Sequence, residues 1–513
     1  MEALEQLLAL FVAAMILAAL ARRVGAPYPV FLAVGGVLLA FIPGMPTFTV
    51  PPDLVLALFV APVLLDAAYD ASPRDLRDNW LPVTALVVVA VGLTTTAVAV
   101  LVHTTIPGIP WAAAVALGAI VAPPDAVAAT AVLRPLRPPQ RLLTILEGES
   151  LLNDASALLI YRLAVGAVAA GGFSITAVAP TFLLAVAGSI VVGPALGWLA
   201  LRLFDRVQHV PTSIILQFVT TFCVWILAEQ VGLSGVLTTV CYAMTLARSA
   251  PARVPARLRI PTYAVWETIV FALNILAFIF IGLQLRPILE SLARADRAGY
   301  LMVAAAVLLT VIIVRFIWHM SFNAMIRWRE GRVGFRPPRP MLRPTIGSGL
   351  VISWAGMRGI VSLAAALALP SDFPYRDLIV LTAFSVVLGT LVIQGLTLKP
   401  LLRVLDLHDN DPVSHELRAA RERALSAALA SVGDDASPVA AFVRKEFKGR
   451  LAPTGDGMDA TRAAYGELYR GALKAARDAV LAMRDKDEIG DDAFHLMEEE
   501  LDWLEMAGRE RRE

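Results

Sequence analysis

Residues 142–169 read LLTILEGESLLNDASALLIYRLAVGAVA, an apolar run that is interrupted early by charged residues. A helix needs about 20 apolar residues to cross the hydrocarbon core of a bilayer, so this stretch is long enough to span a membrane. The interrupting polar side chains fall within eight positions: Glu147, Glu149, Ser150, Asn153 and Asp154. Charges at membrane depth cost several kcal/mol and usually mark a functional path or a structural pair. The stretch therefore predicts a membrane protein with a buried polar site.

Helical spacing sorts these side chains onto shared faces. Residues four apart lie on one face of a helix, so Ser150 lies with Asp154 and Glu149 lies with Asn153. Asp154 comes about 12 residues into the span, near its middle at a rise of about 1.5 Å per residue. A structural hydrogen-bond cluster between helices would also use polar groups. A carboxylate at mid-depth is costly enough to favour a functional site.

The whole chain has the composition of a membrane protein. Of its 513 residues, 58% are hydrophobic and 17% are charged, whereas soluble domains average about 45–50% apolar and about 25% charged residues. The polar part is concentrated at the end, since residues 404–513 contain 16 Lys or Arg and 24 Asp or Glu. We expect a transmembrane domain over residues 1–403 and a cytosolic regulatory tail over residues 404–513. Apolar periodicity predicts helices in the tail over 416–430 and 463–483.

Long apolar runs recur along the transmembrane part. The candidate spans are 7–21, 28–42, 53–69, 81–102, 111–133, 142–169, 179–201, 213–230, 233–247, 263–285, 300–323, 346–368 and 376–398. These runs are continuously apolar rather than alternating, which excludes a closed β-barrel. The predicted fold class is an all-α polytopic membrane protein of about 13 transmembrane helices, followed by a cytosolic helical tail.

Loop charges indicate an orientation for these spans. With thirteen spans the loops alternate between the two sides of the membrane, and Lys and Arg mark the cytoplasmic side. One set of loops holds 21 Lys or Arg residues, and the other set holds only Arg286, Arg294, Arg297 and Arg376. We therefore expect the N-terminus outside and the C-terminal tail in the cytoplasm.

Two of the spans contain helix breakers beside polar residues. Span 111–133 contains APPDA at 122–126, and two consecutive prolines fit poorly inside a helix. Span 346–368 contains SWAGMRG at 353–359, in which glycines stand on both sides of the arginine. Unwound backbone at membrane depth is tolerated where it is buried in protein or lines a cavity. A proline kink alone would explain the first segment, and tight helix packing would explain the second. Neither alternative would need a charged residue at the break, so Asp125 and Arg358 count against both.

The two interrupted spans run in opposite directions under the expected orientation. Paired broken helices in inverted halves are the best sequence indication of a transporter's binding site. The residues alone thus predict a secondary transporter with inverted repeats, two crossing broken helices and a site at the membrane midplane. Arg162 and Arg315 lie deep in other spans. We expect each to pair with an acidic residue that the sequence does not identify.

Three motifs carry a family resemblance: EGESLLNDA at 147–155, GMRGIVSLA at 356–364 and FIGLQL at 280–285. The first resembles the E-G-E-S-L-x-N-D-A signature of the monovalent cation–proton antiporters, in the branch that contains the bacterial sodium–proton antiporters and the animal sodium–proton exchangers. The second is similar to that family's G-x-R-G-x-V-S-L-A segment, and the third to a weaker family stretch. The resemblance covers about residues 7–400, and the order and separation of the first two motifs also fit.

The resemblance implies a homodimer of thirteen-helix subunits, in which a core domain moves against a dimerisation domain. It implies that Asp154 binds the cation or the proton, that Asp125 contributes to the Na+ site and that Ser150 supplies an oxygen ligand. The family often has Thr-Asp-Pro at the first broken helix, and this chain has PDA at 124–126. Pro124 therefore offers only its backbone carbonyl to the ion, which weakens any ion selectivity inferred from the family.

The resemblance also implies a supporting network around the site. Asn153 is expected to bond to Glu149, and Glu149 is expected to pair with Arg358. The shared helix face of Glu149 and Asn153 agrees with the first of these bonds. In the family, an Asn-Asp pair rather than Asp-Asp is associated with electroneutral one-for-one exchange.

The predicted function is secondary active exchange of Na+, or Li+, for H+ by alternating access. Burial disfavours the charged form of a carboxylate, so a proton and a cation are expected to compete for Asp154. K+/H+ exchange is the alternative, since Na+ and K+ both take oxygen ligands. A channel would conduct without proton coupling. An enzyme would need a nucleophile with its base or a metal cluster, and the spans contain neither pattern.

The expected setting is the inner (plasma) membrane of a bacterium, where a multi-pass homodimer surrounded by lipid would serve sodium transport and pH homeostasis. No cofactor is expected beyond the transported Na+ and H+. The tail lacks metal-ligand spacing, a glycine-rich phosphate loop and a basic nucleic-acid patch. We therefore expect no nucleic-acid partner and no enzymatic activity.

Overall fold

The protein is described here by a computed structural model, which covers residues 2–43, 51–72, 79–136, 138–170, 175–292, 297–333, 344–407, 412–433, 437–451, 471–483, 486, 497 and 500–504. The chain divides into two compact units, Met1–Pro412 and Val413–Glu513. Within the described residues, all regular structure is helical. The all-α architecture predicted from the sequence is therefore confirmed.

The first unit is a bundle of helices numbered here in chain order. They are α1 Glu2–Val24, α2 Tyr28–Ala40, α3 52–70, α4 Trp80–Thr105, α5 Trp111–Val121, α6 Ala126–Leu133, α7 Gln140–Ala169, α8 Ile175–Phe204, α9 Val210–Gln230, α10 Gly235–Arg253, α11 Ala256–Leu283, α12 Leu285–Ser291, α13 Arg297–Val333, α14 Ile346–Trp354, α15 Ile360–Leu367 and α16 Arg376–Leu405. Helices α3 and α4 each contain a π-helical stretch, at Leu56–Val60 and Ala85–Ala90.

Each predicted span coincides with one of these helices or with a pair of short ones. Among the described residues, seven helices are long and apolar enough to cross a membrane by themselves: Trp80–Thr105, Gln140–Ala169, Leu183–Phe204, Val210–Gln230, Ala256–Ser291, Arg297–Arg329 and Arg376–Leu405. Helix α2 has 13 residues and rises only about 20 Å. The number of thirteen crossings therefore stays a prediction.

The main helix contacts join α4 to α5 and α13, α5 to α7, and α13 to α14 and α16. Further contacts join α8 to α10, α10 to α3 and α9, and α2 to α11. The largest buried apolar cluster includes Leu117, Val121, Met357 and Leu363. These residues flank the two interrupted segments, so the apolar core encloses the broken helices.

Close packing of α2 on α11 explains part of the third sequence motif. A Cβ on Gly282 would lie 2.1 Å from the backbone oxygen of Ala33, and one on Gly36 would lie 2.3 Å from that of Ile279. Only residues without a side chain let two helix backbones approach so closely. The FIGLQL stretch at 280–285 is thus a helix-contact motif in this structure.

Helix α17, Pro412–Val432, begins at the last residue of the first unit, and the second unit also contains α18, Pro438–Leu451, and a helix over 471–483. Helix α17 matches the predicted helix over 416–430. The predicted helix over 463–483 is described only in its second half, because residues 463–470 lie outside the described residues. An ion pair joins Arg477 to Asp502 within this unit.

Candidate functional site

The two interrupted segments meet inside the bundle. Helix α5 ends at Val121 and α6 begins at Ala126, while α14 ends at Trp354 and α15 begins at Ile360. The backbone N–H of Asp125 donates to the carbonyl oxygen of Met357 at 2.6 Å. Unwound backbone at membrane depth must find its hydrogen bonds within the protein. Each break therefore supplies a partner for the other, as the prediction of two crossing broken helices requires.

Asp125 lies at the start of two short helices. Its Oδ1 accepts a hydrogen bond from the backbone N–H of Val127 at 2.8 Å and so caps α6. Its Oδ2 lies against Gly359, the residue before α15, where an added Cβ would be 1.7 Å away. The partial positive charge at a helix N-terminus favours a carboxylate there. Asp125 therefore lies at the ends of both α6 and α15, where it bonds to one and lies against the other.

Arg358 lies at the C-terminal ends of the two helices that precede the breaks, α5 and α14. Its side chain is completely buried. The guanidinium donates from Nε to the carbonyl of Val121 at 3.0 Å, from Nη2 to that of Ala122 at 3.2 Å, and from Nη1 to that of Gly356. These carbonyls lie at the C-terminal end of α5 and just after α14, where the helix dipole places a partial negative charge. The backbone N–H of Arg358 donates to Thr390 Oγ1 at 3.1 Å.

The predicted Glu149–Arg358 pair is wrong, because Glu149 binds a different arginine. Arg315 on α13 donates from Nη1 to Glu149 Oε1 at 2.6 Å and from Nη2 to Glu149 Oε2 at 2.8 Å. Both side chains are buried, and Nη2 also donates to the carbonyl of Ile352 at 3.2 Å. A Cβ on Gly356 would lie 2.4 Å from Arg315 Cδ and Nε, so this glycine makes room for the arginine.

Asn153 bonds to the broken segment between α5 and α6, and it does not bond to Glu149. Its Nδ2 donates to the carbonyl of Pro124 at 3.3 Å, so the expected Asn153–Glu149 bond is also wrong. The side chain is fully buried, and Oδ1 has no hydrogen-bond partner in the described part of the chain. The Pro124 carbonyl keeps one lone pair for a further ligand.

Asp154 lies in the middle of α7, away from both ends of that helix. It is 7% exposed, and its charge interacts with that of Asp125. Ser150 lies one turn earlier on the same helix and is partly buried. The structure thus brings Asp154 and Asp125 close enough for their charges to repel. Asn153 ties the Pro124 carbonyl to the same helix.

Of the other charged residues, Arg162 has a half-exposed ion pair with Glu229, whose Oε1 also accepts from the backbone N–H of Gly235 at 2.9 Å. The expectation that Arg162 pairs with an acidic residue is confirmed. Glu147 binds Arg134 at 3.0 Å near the start of α7. Sequence reasoning missed Thr390, since a single threonine in an apolar helix carries no signal of its own.

Among the described residues, no group of three or more His, Cys, Asp or Glu side chains is arranged for a metal. Carboxylate and backbone carbonyl oxygens, such as those of Asp154, Asp125 and Pro124, are hard donors of the type that alkali and alkaline-earth cations prefer.

The helix arrangement is similar to that of a solved antiporter. The sodium proton antiporter MjNhaP1 from Methanocaldococcus jannaschii superposes with a TM-score of 0.63 and 16% sequence identity, over 80% of this chain and 99% of that chain. At this identity the similarity shows a shared fold.

Sequence relatives extend over almost the whole chain. An uncharacterised Na+/H+ exchanger of Mycobacterium tuberculosis (strain ATCC 25618 / H37Rv) is 31% identical over 98% of this chain and 95% of its own length. The sodium, potassium, lithium and rubidium/H+ antiporter of Bacillus subtilis (strain 168) is 28% identical over 94% of this chain and 74% of its own length. The family model described as "Sodium/hydrogen exchanger, transmembrane" matches residues 8–404. The chain therefore belongs to the transmembrane sodium/hydrogen exchanger family, whose members are transporters and not enzymes.

Proposed function

We propose that the protein exchanges Na+ for H+, one for one, with the two ions competing for Asp154. The cation would be held by Asp154, Asp125, Ser150 and the backbone carbonyl of Pro124. Asn153 would hold that carbonyl in place. Li+, which is smaller and has the same ligand preference, would use the same oxygens.

The observation that carries this proposal is the absence of a protein cation at the two carboxylates. Among the described residues, no Arg, Lys or His forms an ion pair with Asp154 or Asp125. The nearby guanidinium groups of Arg315 and Arg358 are committed to Glu149 and to backbone carbonyls. A buried charge without a partner is strongly unfavourable. A proton or a transported cation therefore has to neutralise the carboxylate.

The two carboxylates differ in what already stabilises their charge. Asp125 caps α6 and lies at the start of α15, so helix N-termini favour its charged form. Asp154 lies within α7 and does not cap that helix. We infer that Asp154 is the group that alternates between a proton and a cation, while Asp125 adds a ligand. Because position 153 is an amide that cannot titrate, one proton exchanges for one monovalent cation.

K+/H+ exchange is the second candidate, and one relative supports it. The Bacillus subtilis relative is named for sodium, potassium, lithium and rubidium exchange. Pro124 offers a carbonyl without a hydroxyl at this position, which loosens the coordination sphere. A looser oxygen cage discriminates less between ions of different size. The relative rates with Na+, Li+ and K+ separate the two candidates.

The setting of this activity is also proposed. The bias of 21 against four Lys and Arg residues supports an N-terminus outside and a C-terminal end inside the cell. Residues 404–513 would then form a cytosolic regulatory tail after the antiporter domain of residues 1–403. The bacterial relatives support an inner-membrane location, and the family resemblance supports a homodimer with roles in sodium transport and pH homeostasis.

The test is fluorescence dequenching in proteoliposomes that carry an imposed pH gradient. Na+, Li+ or K+ is added in turn, and the rate of proton movement is recorded for each. We expect Na+ to collapse the gradient in the wild type. Asp154→Asn removes the only exchanging carboxylate and should abolish the response while the protein still assembles.

The matched control is Asp205→Asn, the same exchange of side chains at a half-exposed ion pair with Arg253. It should retain a rate similar to that of the wild type. Exchange at the wild-type rate in Asp154→Asn would refute the assignment of that residue. A response to K+ that exceeds the response to Na+ would select the second candidate.

A further inference from the structure

Helix α16 lies beside all four halves of the two broken helices. It is continuous over Arg376–Leu405, and it packs against α5, α6, α14 and α15. The unwound segments between these halves lack helical hydrogen bonds of their own and must find partners within the protein. A continuous neighbouring helix can supply such partners from fixed positions.

One side chain of α16 bonds directly to the second unwound segment. Thr390 is completely buried, and its Oγ1 donates to the carbonyl of Val386 at 2.8 Å within the helix. A hydroxyl has a single hydrogen, so toward the break this oxygen can only accept. It accepts the backbone N–H of Arg358 at 3.1 Å. The direction of the Arg358 N–H is therefore set from α16.

The same peptide group reaches the ion site at its other end. It joins Met357 to Arg358, and its carbonyl oxygen accepts the backbone N–H of Asp125 at 2.6 Å. The N–H and C=O of a planar trans peptide point in opposite directions, so fixing one fixes the other. Gly356 and Gly359 flank the two residues, and glycine constrains the backbone least. The segment thus depends on outside partners to orient this peptide.

We infer that Thr390 is a positioning residue that holds Asp125 in place through the single peptide group between Met357 and Arg358. Its effect on transport rests on the proposed function, in which Asp125 is a cation ligand. Thr390, Met357 and Arg358 are each 0% exposed, so water cannot replace a lost hydroxyl. A buried N–H is rarely left unpaired, so without the hydroxyl this peptide would turn toward another acceptor. The Met357 carbonyl would then leave the Asp125 N–H, and the carboxylate would move with its backbone.

The first test compares Thr390→Val, which keeps the shape of the side chain without its hydroxyl, with Thr390→Ser, which keeps the hydroxyl. Proton movement in proteoliposomes is recorded against Na+ concentration. We expect Thr390→Val to raise the half-saturating Na+ concentration about fivefold, the factor expected for one net hydrogen bond. Its maximal rate should stay within about twofold of the wild type, since Asp154 is unchanged and only binding is weakened. Thr390→Ser should keep the wild-type half-saturating concentration.

The second test measures hydrogen–deuterium exchange in detergent without Na+, and so does not depend on transport. Amides that lose a buried partner exchange faster. We expect Thr390→Val to speed exchange in the segment that contains Arg358 and also in the segment that contains Asp125. Both segments should keep wild-type exchange in Thr390→Ser. A threonine that only stabilised α16 would leave the Asp125 segment unchanged.

The matched control is Thr382→Val, the same exchange of side chains about two turns earlier on α16. Thr382 is 0% exposed, and its Oγ1 has no hydrogen-bond partner among the residues that the structure describes. Both readouts should therefore match the wild type in this variant.

An unchanged half-saturating Na+ concentration in folded Thr390→Val, or faster exchange in the Arg358 segment alone, would overturn the inference. A wild type without a Na+ response would refute the proposed function, and deuterium exchange in the Asp125 segment would then decide the inference by itself. Thr390→Ala, which also lacks the hydroxyl, takes the place of Thr390→Val if that variant does not fold.

Discussion

Glu149 and Arg315 form an ion pair whose side chains are 2% and 3% exposed. At this depth the two charges depend on each other, because neither can recover its lost hydration from water. Arg315→Leu should strand Glu149 and destabilise the fold by about 3–5 kcal/mol. The measurement is the thermal midpoint, or the yield of monodisperse protein, in detergent.

The double variant Glu149→Met/Arg315→Leu separates a stranded charge from lost packing. Replacing both members of a buried pair by apolar side chains is often neutral for stability. We therefore expect the double variant to be more stable than Arg315→Leu alone. A double variant less stable than Arg315→Leu would show that shape, and not charge balance, is what the pair supplies.

Gly359 decides how closely Asp125 can approach the second break. A Cβ at this position would lie 1.7 Å from Asp125 Oδ2, so Gly359→Ala must displace the carboxylate. A ligand shifted by about 1 Å can cost on the order of 100-fold in rate. We expect Gly359→Ala to lower the exchange rate by about that factor, measured by dequenching in proteoliposomes.

The matched control is Gly166→Ala on α7, where an added Cβ would meet no atom within 4 Å. Its exchange rate should stay near that of the wild type, since alanine also suits a helix interior. An equal loss in both variants would mean that the assay reports expression and not site geometry.

For single residues, the sequence singled out the carboxylates in the apolar spans but not the arginine that binds Glu149. Asp125 and Asp154 stand out because ionisable side chains are rare in apolar spans. The choice of Arg315 over Arg358 for Glu149 depends on how α7, α13 and α14 pack, and no local pattern encodes that. The side chains of Glu149 and Arg315 are separated by 166 positions in the chain.

Among the elements, the four half-helices at the crossing form a charge-balanced set. Two C-terminal ends face Arg358 and two N-terminal ends face Asp125. Helix ends carry partial charges of about half a unit, which are costly to bury without compensation. One arginine and one aspartate thus compensate the ends that the breaks expose.

Arg358→Ala removes the donor of three buried carbonyls, at Val121, Ala122 and Gly356. A buried acceptor left unsatisfied costs about 1–3 kcal/mol, so this variant should give little folded protein. Size-exclusion profiles and thermal midpoints in detergent measure the effect. Arg358→Lys keeps the charge but cannot reach all three carbonyls from one ammonium group, so it should fall between the wild type and Arg358→Ala.

Arg162→Ala is the control for this prediction. Its ion pair with Glu229 is half-exposed, and such pairs contribute about 0–1 kcal/mol. We expect a folded yield near that of the wild type. Comparable losses in Arg162→Ala and Arg358→Ala would argue against a special role for the helix ends.

The positions of the breaks could be read from the sequence because proline and glycine act locally. The segments APPDA at 122–126 and SWAGMRG at 353–359 contain the breaks found between α5 and α6 and between α14 and α15. That Arg358 would serve both breaks could not be read in the same way. Its bond to Val121 joins residues 237 positions apart, and only the crossing of the two helices brings them together.

For the molecule as a whole, hydropathy located the helices, while the number of membrane crossings stays a prediction. Every predicted span coincides with helix, yet α2, α5 and α6 are too short to cross a bilayer as single straight rods. Apolar windows respond to composition, and a broken or shielded helix has the same composition as an intact one. The predicted boundary at residue 404 follows from the change in charge density there, and the compact units divide after Pro412.

Removal of residues 413–513 tests whether the ion site is complete without the second unit. Every residue of the proposed site lies in Met1–Pro412, which forms a compact unit by itself. We expect the truncated chain to fold and to exchange Na+ for H+, since the two breaks and their partners remain. The truncated chain that also carries Asp154→Asn is the negative control for exchange. A tail that regulates transport would shift the pH dependence of the truncated chain and leave its maximal rate within about threefold. Loss of all exchange in a folded, monodisperse truncation would instead mean that the second unit is needed for the transport cycle, because the site residues themselves would be unchanged.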